Sequence, residues 1–225
     1  MFKKNTVFLS FNSQKELDSN AVKFIVDRAE DAIKERGTFS IVLSGGTTPV
    51  NIYKLLAKEK IDFNKWFIFF GDERCFPADH SERNSFVAES IWLSKVNIPK
   101  SNIYTIPAEL GSIDGSLAYE KLLHVDKSFD LVILGLGDDG HIASLFPNRE
   151  WDNSKQVIAV LDSPKLPSER ISLTLSRLSN SEDVLFLVSG KKKSNAFRKW
   201  KEGEDLPANS ITAKNQILIM SFDII

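Results

Sequence analysis

The chain has 225 residues, enough for one sizeable core and not enough to require a second domain. With 42% hydrophobic and 26% charged residues, it has the composition of an ordinary globular protein and not of a disordered or membrane-embedded one. A formal net charge of -1 supplies no global attraction for nucleic acid or anionic lipid, so any anionic ligand has to be held by locally placed Arg and Lys.

Residues 1–225 therefore read as a single domain. The residues from Met1 to Asn5 lead straight into the alternating Thr6-Val7-Phe8-Leu9-Ser10-Phe11, too short for the apolar core of a signal peptide. No later run approaches the ~18 apolar residues of a membrane span. The single cysteine, Cys75, cannot form an intrachain disulfide. Together these features predict a cytoplasmic protein stabilised by burial.

Short apolar runs rich in β-branched and aromatic residues predict strands at 6–11, 39–43, 66–71, 129–134, 156–161, 170–174, 183–188 and 216–221. Between the first two, Val22, Ile25, Val26, Ala29 and Ile33 share one face of a helix predicted from about 14 to 35 and closed by Gly37. Further helices are expected near 49–59, 82–95, 114–124 and 191–200. Strands alternating with helices predict an α/β fold whose mostly parallel sheet is covered on both faces. Ser163-Pro164-Lys165-Leu166-Pro167-Ser168 reads as a loop, and Pro99 and Pro107 bracket a shorter connection. In such folds ligands bind beyond the carboxyl ends of the strands, so the polar residues that follow strands carry the candidate chemistry.

Three strand ends stand out. The first is Ser44-Gly45-Gly46-Thr47-Thr48-Pro49, where Gly45 and Gly46 permit close backbone approach. The Thr47 and Thr48 hydroxyls and the free N–H groups of the following helix form an anion site, or else an ordinary capped turn. The lysine of a Walker loop is missing.

The second is Gly71-Asp72-Glu73-Arg74-Cys75-Phe76-Pro77. Arg74 there is suited to bidentate contact with phosphate or carboxylate, with the two acids holding it in place, and the alternative is a solvated salt-bridge cluster. Cys75 has no histidine beside it in the motif and reads as packing, not as a nucleophile.

The third, Gly135-Leu136-Gly137-Asp138-Asp139-Gly140-His141-Ile142-Ala143-Ser144-Leu145-Phe146-Pro147, contains the spacing G-x-G-x-x-G, with Asp162 at the end of the next strand. A dinucleotide site is opposed by the like charge of Asp138 and Asp139 and by Pro147-Asn148, which interrupts the required crossover helix. His141 follows glycines that clear room for a ligand, Gly140 immediately before it. Free imidazole titrates near ~6.5, which suits a general base for ester or lactone hydrolysis. Asp139 either orients the ring or holds substrate. His80 and His124 read as surface residues. No metal site is expected, since His141 has no partner histidine at ligand spacing, and the G-x-S-x-G nucleophile elbow is missing.

Taken together and in this order, SGGTTP, GDERCFP and GLGDDGHIASLFP resemble the 6-phosphogluconolactonase family over nearly the whole chain, with Arg170 in PSERISLTL and Lys193 in SGKKKSNAF at later family positions. The resemblance implies a Rossmann-like three-layer α/β/α sandwich. It also implies hydrolysis of 6-phosphogluconolactone in the oxidative pentose phosphate pathway, with no metal and no cofactor. By the same resemblance, His141 activates water and Asp139 supports it. Gly45, Gly46, Thr47, Thr48, Asp72, Arg74, Gly140, Arg170 and Lys193 would surround the phosphate and sugar. The family commonly shows Ser-Asn-Tyr after the acidic motif, whereas this chain has Arg83-Asn84-Ser85, so roles for Arg83 and Ser85 do not carry over. The expected partner is the small sugar-phosphate lactone, with no nucleic acid, membrane or obligate protein partner. A glucosamine-6-phosphate deaminase shares the glycine-rich threonine loop and the D-G-H motif but resembles H-I-A-F-N-E-P after the histidine. A sugar-phosphate sensor would need a DNA-binding element, for which no N-terminal segment is expected.

Overall fold

Each strand that an apolar run predicts is formed in the computed structural model, which describes residues 3, 5–123 and 127–224. His124 lies outside the described residues. In chain order the elements are β1 (Thr6–Ser10), α1 (Gln14–Arg36), β2 (Phe39–Leu43), α2 (Thr47–Leu56), β3 (Trp66–Phe70), β4 (Asp72–Arg74), α3 (Asn84–Ile91), β5 (Ile103–Tyr104), α4 (Ser112–Leu122), β6 (Phe129–Gly135), β7 (Val157–Val160), β8 (Arg170–Leu173), α5 (Leu175–Ser179), β9 (Ser181–Ser189), α6 (Ser194–Glu202), α7 (Pro207–Ser210) and β10 (Gln216–Phe222). Among the described residues, no helix is long and apolar enough to cross a membrane.

The crossover helix α1 begins at a capping box. Ser13 Oγ accepts from Glu16 N at 3.1 Å, and Glu16 Oε2 accepts from Asn12 N at 3.0 Å. It ends at Gly37, whose φ of 82° lets its N–H reach Ile33 O. The buried positions Leu17, Ala21, Ile25 and Ala29 turn this helix onto β2, β6 and β10.

The main sheet has seven strands in the order β1-β10-β9-β6-β2-β3-β5, every pair parallel. The central runs Ile41-Val42-Leu43 and Leu131-Val132-Ile133-Leu134 are wholly buried, as strands covered on both faces must be. This is a Rossmann-like three-layer α/β fold. From β2 the chain steps outward through β3 to β5, and from β6 it steps the other way through β9 to β10. The direction of winding therefore reverses between β2 and β6, and the crevice beyond their carboxyl ends is where a doubly wound sheet binds ligand.

Two expectations change. The strands predicted at 156–161 and 170–174 do not join the main sheet. They form β7 and β8 of a separate antiparallel sheet, ordered β4-β8-β7, completed by Asp72–Arg74. Three polar residues carry no apolar run, so β4 exists only because β8 pairs with it. The helix expected over 82–95 is α3 alone, with a 3-10 turn at Leu93–Lys95 after it.

Candidate active site

A cleft of about 220 Å³ opens at the β2/β6 reversal. The turn after β2 forms one wall, Gly135 to Gly137 after β6 another, and β4 and β8 bring Arg74 and Arg170 to it. Of the residues singled out from sequence, Gly45, Gly46, Thr47, Thr48, Asp72, Arg74, His141, Arg170 and Lys193 line the cleft. Asp139 and Gly140 do not. Asp139 is bonded to the imidazole of His141, and Gly140, at φ 95°, makes the turn that carries it.

His141 is held at one end. Its Nδ1 lies 2.5 Å from Asp139 Oδ1, and that carboxylate also accepts from the His141 backbone N–H at 3.3 Å. Burial works against ionisation of Asp139, but the hydrogen bonds it accepts from His141, together with the charge of Lys165, hold its carboxyl well below the usual carboxylate range. An ionised carboxylate can only accept, so Nδ1 carries the ring proton. Nε2, with no hydrogen bond among the described residues, keeps its lone pair free. The orienting role for Asp139, one of two left open by the sequence, is the one the geometry supports.

Gly137 makes that pose possible, because a Cβ there would stand 2.1 Å from His141 Nδ1 and 2.5 Å from Asp139 Oδ1. Gly137→Ala is expected to displace the ring and lower turnover by about tenfold or more, since such small misplacements are costly. The melting temperature would shift little, so a steady-state assay paired with a thermal melt checks it.

Among the described residues, the cations of the cleft have no carboxylate in ion-pair contact. Arg74 Nη1 donates to Glu82 O at 2.6 Å, and its Nε is buried with no partner. Arg170, only 4% exposed, spends Nε on Pro167 O and Nη2 on Leu166 O and Lys165 O. Arg74 and Arg170 are also direct cross-strand partners in the β4–β8 ladder, an arrangement of like charges that disfavours the empty sheet. Burial pulls the Arg170 pKa down, Asp72 works against that and Arg74 with it, and burial pulls Lys193 down too. An anion placed among these three would relieve the repulsion. The N-terminus of α2 adds donors: Gly46, at φ 105°, is an N-cap without a side-chain hydrogen bond, and the first N–H groups of the helix have no intrahelical acceptor.

The acids of the second motif do not pair with the Arg74 guanidinium, contrary to the sequence reading; Glu73 bonds only its backbone N–H, at 2.9 Å. Asp72 Oδ2 accepts from Ser144 Oγ at 2.6 Å, and Asn84 Nδ2 donates to Asp72 O at 2.9 Å. Glu73, wholly buried, caps α3 instead. Its carboxylate accepts from the backbone N–H of Asn84 at 2.7 Å and of Ser85 at 2.9 Å, and from Ser85 Oγ at 2.7 Å. Arg83 is also buried, with Nη1 on Glu109 at 2.7 Å and Nε 3.5 Å from Glu73, so Arg83 and Ser85 anchor α3 outside the cleft. A Cβ on Gly45 would collide with Asn84 Oδ1 at 2.1 Å, so glycine there admits Asn84 as well as ligand.

Sequence reasoning missed Gly137, Ser144 and Lys165. Lys165 of the proline-rich loop pairs with Asp138 and reaches Asp139 at 3.6 Å, and no local signal marks it. The remaining candidates fall away from the cleft. His80 stacks on Phe76, burial pushes the Cys75 thiol up to about 11, and Asp162 is an exposed partner of Arg149. No helix lies between Gly135 and Val157, so the dinucleotide reading has no crossover helix.

Comparison with known proteins adds three findings. The family model described as glucosamine-6-phosphate isomerases/6-phosphogluconolactonase matches residues 12–220. The chain is 35% identical over 229 residues to the chloroplastic 6-phosphogluconolactonase 3 of Arabidopsis thaliana, covering 92% of this chain and 70% of that protein. It is also 35% identical over 202 residues to the 6-phosphogluconolactonase of Mycobacterium leprae, covering 83% and 82%. Among solved structures, that of 6-phosphogluconolactonase from Thermotoga maritima superposes with a TM-score of 0.88 at 29% identity, over 96% of this chain and 99% of the other. A monomeric glucosamine-6-phosphate deaminase superposes with a TM-score of 0.83 at 20% identity, a likeness of fold alone.

Proposed function

The chain belongs to the glucosamine-6-phosphate isomerase/6-phosphogluconolactonase family, and from that premise we propose that it is the hydrolase that opens 6-phosphogluconolactone to 6-phosphogluconate, with His141 as general base. The observation that carries the reading is the pairing, on one cleft, of an Asp139-held imidazole with three cations that have no carboxylate in ion-pair contact among the described residues. A base alone would suit many reactions. A base beside an anion cradle suits a phosphorylated electrophile.

In this reading Arg74, Arg170 and Lys193, with the N–H groups at the start of α2, take the phosphate, and the binding energy orients the lactone carbonyl. His141 Nε2 removes a proton from water as the water oxygen bonds to the carbonyl carbon. The tetrahedral intermediate collapses by breaking the bond from that carbon to the ring oxygen, which receives the proton back from the imidazolium. Asp139, already ionised, stabilises the imidazolium between the two steps. The reading has His141 activate the water without a metal.

The test is a coupled assay that generates fresh 6-phosphogluconolactone and follows its disappearance against the spontaneous rate, with glucosamine 6-phosphate run alongside. Acceleration on the lactone alone is expected. Turnover of glucosamine 6-phosphate without lactone hydrolysis would replace this reading with deamination.

A further inference from the structure

At the opposite, amino ends of the strands lies a second and larger cavity of about 480 Å³, which shares no lining residue with the catalytic cleft. Its wall is aromatic. Phe67 and Phe69 of β3, Tyr104 of β5 and Phe129 of β6 line it, with Phe69 stacked on Tyr104 at 4.7 Å and 7° and tilted against Phe129 at 5.1 Å. Phe67 and Tyr104 are only partly buried, so part of their aromatic surface is left for a ring to cover.

Arg177 of α5 also lines this cavity, and the protein leaves it unsatisfied. It is 4% exposed, and its guanidinium sits 3.8 Å from the centre of the Phe129 ring. Nη1 donates to Lys127 O at 2.9 Å, and among the described residues Nε is buried without a partner and Nη2 makes no hydrogen bond. No carboxylate of the described residues pairs with it. Asp130, on the same cavity, is already spent: Oδ1 accepts from Arg36 at 2.7 Å, and Oδ2 accepts from Ser40 N and Oγ at 2.7 and 2.8 Å. Those two charges cancel, and among the described lining residues Lys127 and Arg177 leave a net positive charge. Burial pulls Arg177 down to about 10, as expected of a desolvated cation with no counter-ion among the described residues.

We propose that this cavity is a second ligand site, for a planar aromatic molecule bearing one carboxylate or phosphate group, with the ring against Phe67 and Tyr104 and the anion on Arg177. The volume falls within the range of small-molecule sites, and an apolar wall with one well-placed charged group is their usual make-up. An aromatic acid and a nucleoside monophosphate offer the same chemistry, and the test distinguishes them.

The full-length protein is titrated calorimetrically with anthranilate and with adenosine 5′-monophosphate, and with aniline and adenosine as their uncharged counterparts. At least one anionic probe should bind at a single site, with its uncharged counterpart weaker by about tenfold or more, as a charge-assisted hydrogen bond implies. Binding by anthranilate alone identifies the carboxylate source, and binding by the nucleotide alone the phosphate source. Arg177→Met, which removes a desolvated charge, should leave the melting temperature and lactone turnover unchanged while weakening the probe by about tenfold or more. Tyr104→Ala, at the end of an edge strand, gives a second reading, since loss of the stacking surface should weaken the same probe. Failure of both anionic probes to bind at millimolar concentration overturns the proposal. So does binding that survives both substitutions, or a drop in stability of Arg177→Met that assigns the arginine to the fold.

Discussion

Replacing His141 by alanine is expected to lower kcat on freshly generated 6-phosphogluconolactone by about 10²–10⁴-fold, the usual contribution of a positioned general base. At about 1.36 kcal/mol per factor of ten, that is roughly 3–5 kcal/mol of transition-state stabilisation. KM should change little, because the proposed anion cradle of Arg74, Arg170 and Lys193 does not include the imidazole and is left intact. The fold should also persist. The ring touches Asp139 and tilts against Phe146 at 4.8 Å, but it closes no core cavity, so circular dichroism and the melting temperature should match the wild type. The uncatalysed hydrolysis has to be subtracted at each pH. A folded His141→Ala protein with wild-type turnover would remove the base assignment and leave the cleft as a binding site only.

The largest expected effect on stability lies one motif away. Glu73→Ala should destabilise the protein by about 3–5 kcal/mol, the cost of breaking a buried, hydrogen-bonded charge pair. Its carboxylate is wholly buried and accepts from Arg74 N at 2.9 Å as well as from Asn84 and Ser85, so truncation orphans three backbone donors, the Ser85 hydroxyl and one end of Arg83. Glu109 remains to pair Arg83 at 2.7 Å, which places the cost toward the lower end of that range. For a chain of this length, the melting temperature should fall by about 10 °C. Glu73→Gln keeps an acceptor and should fall less. Activity is expected to suffer in both, because Glu73 caps the helix whose Asn84 lines the cleft and braces Asp72. Thermal melts of the two variants check the ranking. Equal stability of Glu73→Ala and wild type would show that water replaces the carboxylate.

These two residues were legible to different degrees. His141 was marked by its neighbours: an apolar run ends, glycines follow, and an acid stands two positions before the histidine. Every part of that signal lies within a few residues, and the structure brings Asp139 onto Nδ1 as the spacing allows. Glu73 was misread for the opposite reason. In sequence it adjoins Arg74 and suggests a local ion pair, but successive side chains of a strand point to opposite faces, so neighbours along β4 cannot readily pair. Arg83 and the N-terminus of α3 meet Glu73 instead, across a loop.

By itself the sequence determined the parallel α/β layout and pointed to the strand ends, and to the histidine proposed as the base. Those follow from hydrophobic runs, glycine turns and the chemistry of single side chains, all short-range quantities. Only the tertiary structure decided which charges meet. The antiparallel pairing of β4 with β8 sets Arg74 against Arg170, the loop after β7 brings Lys165 to Asp138 and Asp139, and α5 sets Arg177 on an aromatic cavity with no carboxylate of the described residues paired to it. The physical reason is that electrostatic energy depends on distance and burial in space, and separation along the chain carries neither.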